Sequence, residues 1–445
     1  VTCGGAGMLA LSMYEELDAA DEILSKAEAG IEVFFGSMDD DGGWPEGAGY
    51  WNYGMRYGYL YLLSHEAATG SPHPLLEREA VGQGALFPLL FCPHGRACGF
   101  GDVNRFSVLA FHYRVLERLG LTEFIPVLDR IAGSEGGLGE SNWPAAALYG
   151  LLAPTSQPAG KPRLPANRLL SGIEWGYMSD AMPNPHTYMS IRGGTAKVPH
   201  GHPDLMAFWY QVDDEQLLIN SWDGRYLDTT FSGYRTELYG CSPFSKNTIL
   251  LNGIGVRDDA TSHTRAFEYE GLSVITVDTS DCFGQTQSYG ATWLEHCART
   301  FINLGDDRYL LIDQVRFTTE GQFEARFHTF SPIEIEAERT LVSIQGEKAR
   351  LRVRMACDQP LCIREGRSCP VLPARPADTI IQVQSEQLIG RITLVSLLDL
   401  EHSDEALTFA DADGRLTVNL GERALCSVPI DDNGTVFGDI ISGGE

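Results

Sequence analysis

The spacing of apolar residues divides the chain into two stretches of different period. Over 7–19, 21–36, 53–69, 105–119 and 123–133, Leu, Ala, Tyr and Phe recur every three or four residues, the repeat of a helix with one buried face. Asp18 and Asp21 flank the start of the second run and are expected to cap it. Short loops rich in Gly and Pro separate these runs, so the arrangement expected is a stack of helical hairpins. Pro154-Thr155-Ser156-Gln157-Pro158-Ala159-Gly160-Lys161-Pro162 reads as a linker. Beyond it the period falls to two. Tyr188–Arg192, Leu205–Val212, Gln216–Asn220, Thr248–Asn252, Leu272–Asp278, Tyr309–Val315 and Phe323–Phe330 suit antiparallel strands of a large sandwich. The pattern therefore predicts a multidomain α+β chain: helical hairpins over 1–153, a linker over 154–168 and an antiparallel β-sandwich over 169–445.

Composition narrows the classes. At 445 residues the chain exceeds one ordinary core, and 43% hydrophobic with 10% aromatic residues suits a packed globular protein. No apolar run approaches the ~18 residues that a spanning helix needs. The chain opens on Val1-Thr2-Cys3 without a basic leader, so it reads as a truncated or processed product with no visible signal peptide. That leaves the periplasm or cytoplasm of a bacterium as compartments, ahead of a membrane. The ten cysteines form no CxxC pair, which argues against a zinc ribbon and against a dense disulfide framework. A net charge of −27 argues against nucleic acid and anionic membranes as partners. A polyanionic ligand would need a local basic patch, and the first sixty residues hold eleven acids against two bases, Lys26 and Arg56.

Candidate chemistry concentrates in a few segments. In Pro199-His200-Gly201-His202-Pro203-Asp204, a strand would put His200, His202 and Asp204 on one face. Imidazoles there could move a proton or bind a metal, or simply be hydrogen-bonded at a polar strand end. The stretch Asp39 to Gly54 mixes carboxylates, glycines and aromatics. Trp44, Glu46, Trp51 and Asn52, with Tyr50 and Tyr53, are candidates to contact sugar, because aromatic faces stack on sugar rings and glycine lets backbone approach closely; alternatively the aromatics plug the helical core. Glu46 with one of Asp39 to Asp41 could also form the carboxylate pair of a glycoside hydrolase. Arg105 either clamps a carboxylate or sulfate or pairs with Asp102, and Arg192 either binds acidic sugar or forms a structural salt bridge. Tyr226, Tyr234 and Arg235 lie close enough in sequence to line the same cleft. His65, His112 and His328 read as structural.

Two motifs carry a family resemblance. Gly42-Gly43-Trp44-Pro45-Glu46-Gly47-Ala48-Gly49-Tyr50-Trp51-Asn52-Tyr53-Gly54, and Arg192-Gly193-Gly194 followed by His200-Gly201-His202-Pro203-Asp204, resemble the heparinase II/III-like polysaccharide lyases. The resemblance runs from Cys3-Gly4-Gly5-Ala6-Gly7 through Lys246-Asn247-Thr248 into the later strands. It implies a partial (α/α) toroid of helical hairpins joined to an antiparallel β-sandwich, and cleavage of a uronate-containing polysaccharide, of glycosaminoglycan or alginate type, by β-elimination. That reaction needs a group that damps the uronate carboxylate, a base for the adjacent carbon proton and an acid for the leaving oxygen. The resemblance implies Tyr53, with Tyr50 as second choice, and His200 as the acid–base pair. The family's charge-damping Asn is expected before Val1, outside this chain.

Many relatives hold zinc through a set that maps here onto His202, onto Asn220 or its neighbour Asp223, and onto Lys246. An ammonium cannot ligate zinc while protonated, so Lys246 is expected to replace the metal and brace Asp223 or Asp204; the cofactor is either absent or a divalent metal, zinc. An acidic polysaccharide or oligosaccharide is the expected partner, with a homodimer left open. A carbohydrate-binding relative without turnover is the alternative to a lyase.

Overall fold

In a computed structural model of the protein, residues 1–102, 105–134, 160–222, 224–286, 289–336, 338, 340–369, 376–401 and 403–438 are described. The helical part comprises α1 (Thr2–Ser12), α2 (Ala20–Gly36), α3 (Ala48–Thr69), α4 (Glu79–Phe91), α5 (Ala110–Arg118) and α6 (Ile125–Ser134). α1 crosses α3 at its small face. A side chain at Gly4 would meet the Tyr57 carbonyl at 2.4 Å, so only glycine permits the approach. At α2 the expected capping is corrected: Ala19 is the N-cap with no side-chain bond, and Asp21 sits in the first turn, where it favours the helix dipole.

Two features of the helical part depart from the periodicity. α3 starts at Ala48 and so takes Tyr50, Trp51 and Asn52 from an expected loop into a helix. α4 was not anticipated, because nearly all of it is buried: Ala80, Val81 and Gly84 through Phe91 face protein on every side, so no polar stripe marks its period.

The last described helix ends at Ser134 and the first strand begins at Asn167. Residues 154–159 of the expected linker lie outside the described residues. A five-stranded antiparallel sheet follows, in order β1 (Asn167–Leu170), β2 (Trp175–Ser179), β3 (Thr187–Arg192), β4 (Phe208–Val212) and β5 (Glu215–Leu218). β2, β3 and β4 are buried at every position. Their alternate residues serve two cores. Trp175, Tyr177, Tyr188 and Trp209 pack with the helices, while Met178, Met189, Ile191, Phe208 and Tyr210 pack into the sandwich. Tyr188 Oη donates to the Leu90 carbonyl at 2.6 Å, tying the sheet to α4.

The sandwich sets an eight-stranded antiparallel sheet, with Leu294–Gly305, Arg308–Gly321 and Ile389–Asp399 near its middle, against a four-stranded sheet of residues 361–367, 379–385, 323–329 and 249–251. A three-stranded meander (Leu407–Ala412, Arg415–Leu420, Arg423–Pro429) covers the outer face of the large sheet with Leu416, Val418 and Val428 against Ile302, Leu310 and Val395. No helix among the described residues is long and apolar enough to cross a membrane, and all ten cysteines are free thiols.

One buried ion pair joins sandwich to site. Arg299 Nε and Nη2 donate to the two oxygens of Asp313 at 2.6 and 2.9 Å, and Nη1 donates to the carbonyls of Met206 and Asn247. The guanidinium thus fixes the turn that follows His202 and the segment that carries Lys246. Removing one member leaves the other charge buried. Arg299→Met is expected to cost about 3–5 kcal/mol in urea denaturation, and Arg299→Met with Asp313→Leu to recover most of it.

Candidate active site

The site is built on a carboxylate from the helical part. The loop Gly99-Phe100-Gly101-Asp102 runs beneath the segment 197–207, which forms turns rather than a strand. His200 has a left-handed φ of 60°, and its carbonyl accepts from the Asp102 amide at 3.0 Å. Gly101 has φ +94°, and a side chain there would meet that same carbonyl at 2.9 Å, so the contact requires glycine. Through this contact Asp102, with no exposed side-chain surface, accepts from His200 Nδ1 at 3.1 Å and His202 Nε2 at 2.9 Å. Arg235 Nη2 donates to the same oxygen as His202. Burial by itself would raise the Asp102 pKa, but the bonds from His200, His202 and Arg235 outweigh it and hold the carboxyl well below the usual range.

The expectation of one strand face carrying His200, His202 and Asp204 is corrected. The turn brings both histidines to Asp102, whereas Asp204 faces the other way and accepts from Arg192 Nε at 3.1 Å. Arg192, expected as a sugar ligand, is 1% exposed and also donates to the carbonyls of Gly193 and Thr195, so it cannot reach a ligand.

Tyr50 and His200 lie face to face. Their rings stack at 3.6 Å between centroids and 11° between planes. The Tyr50 hydroxyl shares a hydrogen bond with that of Tyr226, whose ring also borders His200 at 6.4 Å. Burial, foremost, raises the Tyr50 pKa; the Asp102 and Glu46 charges add to this, and the Tyr226 bond and Arg235 oppose it. The phenol is therefore proton-loaded at neutral pH. Glu46 is half-buried and its pKa is raised by burial, against the pull of His200.

Tyr53, the first choice on spacing, lies three residues further along α3. It is 49% exposed and its ring meets Tyr57 and the Arg56 guanidinium, so the structure brings Tyr50 and not Tyr53 onto His200. Three expected sugar contacts are also corrected, because their side chains are buried or already bonded to main chain. Trp44 and Trp51 are core residues at 8% and 1% exposure, and Trp51 Nε1 donates to the Gly84 carbonyl. Asn52 Nδ2 donates to the Ser107 carbonyl at 2.8 Å, with its Oδ1 buried. Of the acids before Glu46, Asp41 accepts from the Gly43 and Gly172 amides and the Ser171 hydroxyl, which commits it to holding the loop.

The zinc set implied by resemblance does not fit these residues. Asn220 uses both ends of its amide on main chain, donating to the Phe208 carbonyl and accepting from the Asn247 amide. Lys246 is 1% exposed, and its ammonium donates to the carbonyls of Ser221 and Gly240 at 2.9 and 2.8 Å. The bracing of Asp204 expected of it is supplied by Arg192 instead, and Asp223 lies outside the described residues. A different trio, Asp102, His202 and Cys241, brings three ligand-type atoms within 4.8 Å of one another. The Arg235 guanidinium bonded to Asp102, and the charge of Lys246 felt by both His202 and Cys241, oppose a divalent cation there.

Comparison with known proteins now decides the family. A sequence profile described as "Heparinase II/III-like, C-terminal" matches residues 165–392. The chain belongs to the heparinase II/III-like family. No curated protein sequence matches it. Among solved structures, the heparan sulfate lyase HepC from Pedobacter heparinus is similar at TM-score 0.68 and 12% identity, covering 96% of this chain and 65% of that one. A heparinase III gene product gives TM-score 0.69 and 12% identity, with 95% of this chain and 64% of the other covered. A further heparinase III structure gives 0.70 and 12%, with 96% and 66% covered. The chain thus spans about two thirds of the length of these heparinase structures. It has their fold, a partial (α/α) toroid followed by a large antiparallel β-sandwich.

Within this heparinase-like site, four residues carried little sequence signal. Asp102 was visible only as a partner for Arg105, but it pairs with Arg235 and the histidines, while Arg105 is exposed. Tyr226 and Arg235 were placed near the cleft by proximity alone. Cys241 carried no signal.

Two predictions follow from the electrostatics. Burial first, then the Lys246 cation, pushes the His202 pKa down to about 4 from 6.5. The unfolded chain therefore binds this proton first, so stability falls as pH drops from about 6.5 to 4, by up to about 3 kcal/mol. His202→Gln, which keeps a donor for Asp102, should flatten that limb in denaturation midpoints at pH 7, 5.5 and 4.5. Purified full-length protein should hold less than about 0.1 zinc per chain by elemental analysis and keep its Tm in EDTA; Lys246→His should let added zinc raise Tm.

Proposed function

We propose that this chain forms the cleft of a polysaccharide lyase that cleaves a uronate-containing polysaccharide by β-elimination. The observation that carries the reading is the Tyr50–His200 stack, with the imidazole held from behind by Asp102 and the phenol bonded to Tyr226. With Nδ1–H donating to Asp102, His200 keeps Nε2 as a proton acceptor, while Tyr50 rests protonated. His200 takes the proton from the carbon beside the uronate carboxylate, and its electron pair becomes the ring double bond. The bond from the neighbouring carbon to the glycosidic oxygen breaks, and Tyr50 gives its proton to that oxygen. The resulting phenolate lies beside Tyr226 and within the field of Arg235, both of which favour it until a proton returns. Asp102 touches neither reacting atom in this scheme; it is a positioning residue that fixes the His200 tautomer.

An acidic polysaccharide is the substrate class this chemistry requires, since only a carboxylate beside the carbon acidifies its proton enough. The test is ultraviolet absorbance from unsaturated uronate product, measured on the full-length protein with heparan-type, chondroitin-type, hyaluronan and alginate substrates. Tyr50→Phe and His200→Ala are each expected to lower kcat about 10²–10⁴-fold, the range of a lost general acid or base, while Tyr53→Phe stays within about threefold. Full activity in Tyr50→Phe, or reducing ends without ultraviolet product, would refute the assignment.

A further inference from the structure

A cleft of about 950 Å³ opens beside Tyr226, lined among others by Arg96, Arg105, Trp209, Trp222 and Phe330. Arg96 and Arg105 face each other directly across an antiparallel bridge, and both are exposed. Like charges opposed in this way destabilise a ladder unless something negative lies between them. Neither has a side-chain ion pair among the described residues, although the protein carries a net charge of −27. Two of the three acids lining the cleft are already engaged, and the third, Glu347, is exposed. Asp214 pairs with Lys348, and Glu215 accepts from the amides of Glu347, Lys348 and Ala349.

The remaining wall has the character of a sugar platform. Phe330 is 55% and Tyr226 is 37% exposed, where aromatic faces can cover a pyranose ring. Trp209, at 5% exposure, packs in the core behind this wall and supports it rather than facing a sugar. Tyr226 belongs to both places: it lines this cleft and bonds Tyr50.

We infer that this cleft is the subsite for the sugar adjoining the cleaved uronate, and that Arg96 and Arg105 select a neighbour carrying its own anionic group, a sulfate or a second carboxylate. The inference rests on the lyase reading for the position of the uronate. Two facing guanidinia offer several N–H donors to one anion, and that anion relieves their mutual repulsion. A neutral N-acetylated neighbour gives them nothing.

The test is calorimetric binding to the full-length Tyr50→Phe protein, so that turnover does not enter, with defined oligosaccharides of heparan sulfate, alginate and hyaluronan. Heparan sulfate tests a sulfated neighbour, alginate a carboxylated one, and hyaluronan a neutral one. Arg96→Gln and Arg105→Gln should each weaken binding of the preferred anionic oligosaccharide about tenfold and reduce its salt dependence. Hyaluronan binding should change less than about twofold, and the ligand-free Tm should hold or rise as the repulsion is removed. Undiminished affinity in both variants, an equal loss on hyaluronan, or no binding of any anionic oligosaccharide overturns the subsite. The lyase reading is judged separately by ultraviolet product from the protein with Tyr50 intact. Product without any effect of the arginine variants on binding refutes the subsite alone, and arginine-dependent binding without product refutes the lyase alone.

Discussion

The carboxylate of Asp102 is the constraint on which the site depends. It is fully buried, and a buried negative charge is tolerable only when donors surround it. Those donors come from two separate stretches of chain, His200 and His202 from the turn before β4 and Arg235 from a short helical turn beyond β5, and the Asp102 amide is bonded back to the His200 carbonyl. Ionisation of one side chain thereby fixes the helical part against the sheet part, and sets the imidazole that Tyr50 stacks upon. Asp102 has no need to react to be indispensable to this geometry.

The five-stranded sheet makes that arrangement rigid. A sheet with one wet face could shift relative to the helices at little cost, whereas β2 to β4 are buried on both faces and belong to two cores at once. Sliding the sheet would expose Trp175 and Tyr188 on one side and Phe208 and Tyr210 on the other, at roughly 1.5–3 kcal/mol for each large side chain uncovered. The Arg299–Asp313 pair reaches through the second core to hold the carbonyls of Met206 and Asn247. The histidine turn is thus held from above and below.

Fixed positive charge bears on the place where ligand-type atoms converge among the described residues. Positive ends of Arg235 and Lys246 stand near the place where His202, Asp102 and Cys241 converge. A guanidinium and an ammonium supply fixed donors whose geometry is set by covalent attachment. Burial first, and then the Lys246 charge, keep His202 neutral, because a second proton there would sit in a dry environment facing an ammonium.

Much of the fold was legible in the chain. Seven alternating runs mark strands that the structure contains, with boundaries shifted by a few residues, and the helical repeats mark five of the six helices among the described residues. The missing one, α4, is apolar on all sides, and a period can be read only where one face meets water. In the site, His200 and the Tyr50-bearing segment stood out because their residue types carry chemistry and their spacing repeats a family pattern. The choice of Tyr50 over Tyr53 was not legible. It depends on α3 beginning at Ala48 and on where the His200 turn crosses it, which are matters of packing. Likewise Trp44, Trp51 and Arg192 look alike in sequence whether they face sugar or core, and only the surrounding elements decide. The chain by itself determined the order of helices and strands, the family and the kinds of side chain available for chemistry, because those follow from local period and residue type. Which side chains meet, which are sealed away, and that Asp102 gathers the histidines were decided by tertiary structure, because burial and long-range charge pairing exist only once distant segments are packed together.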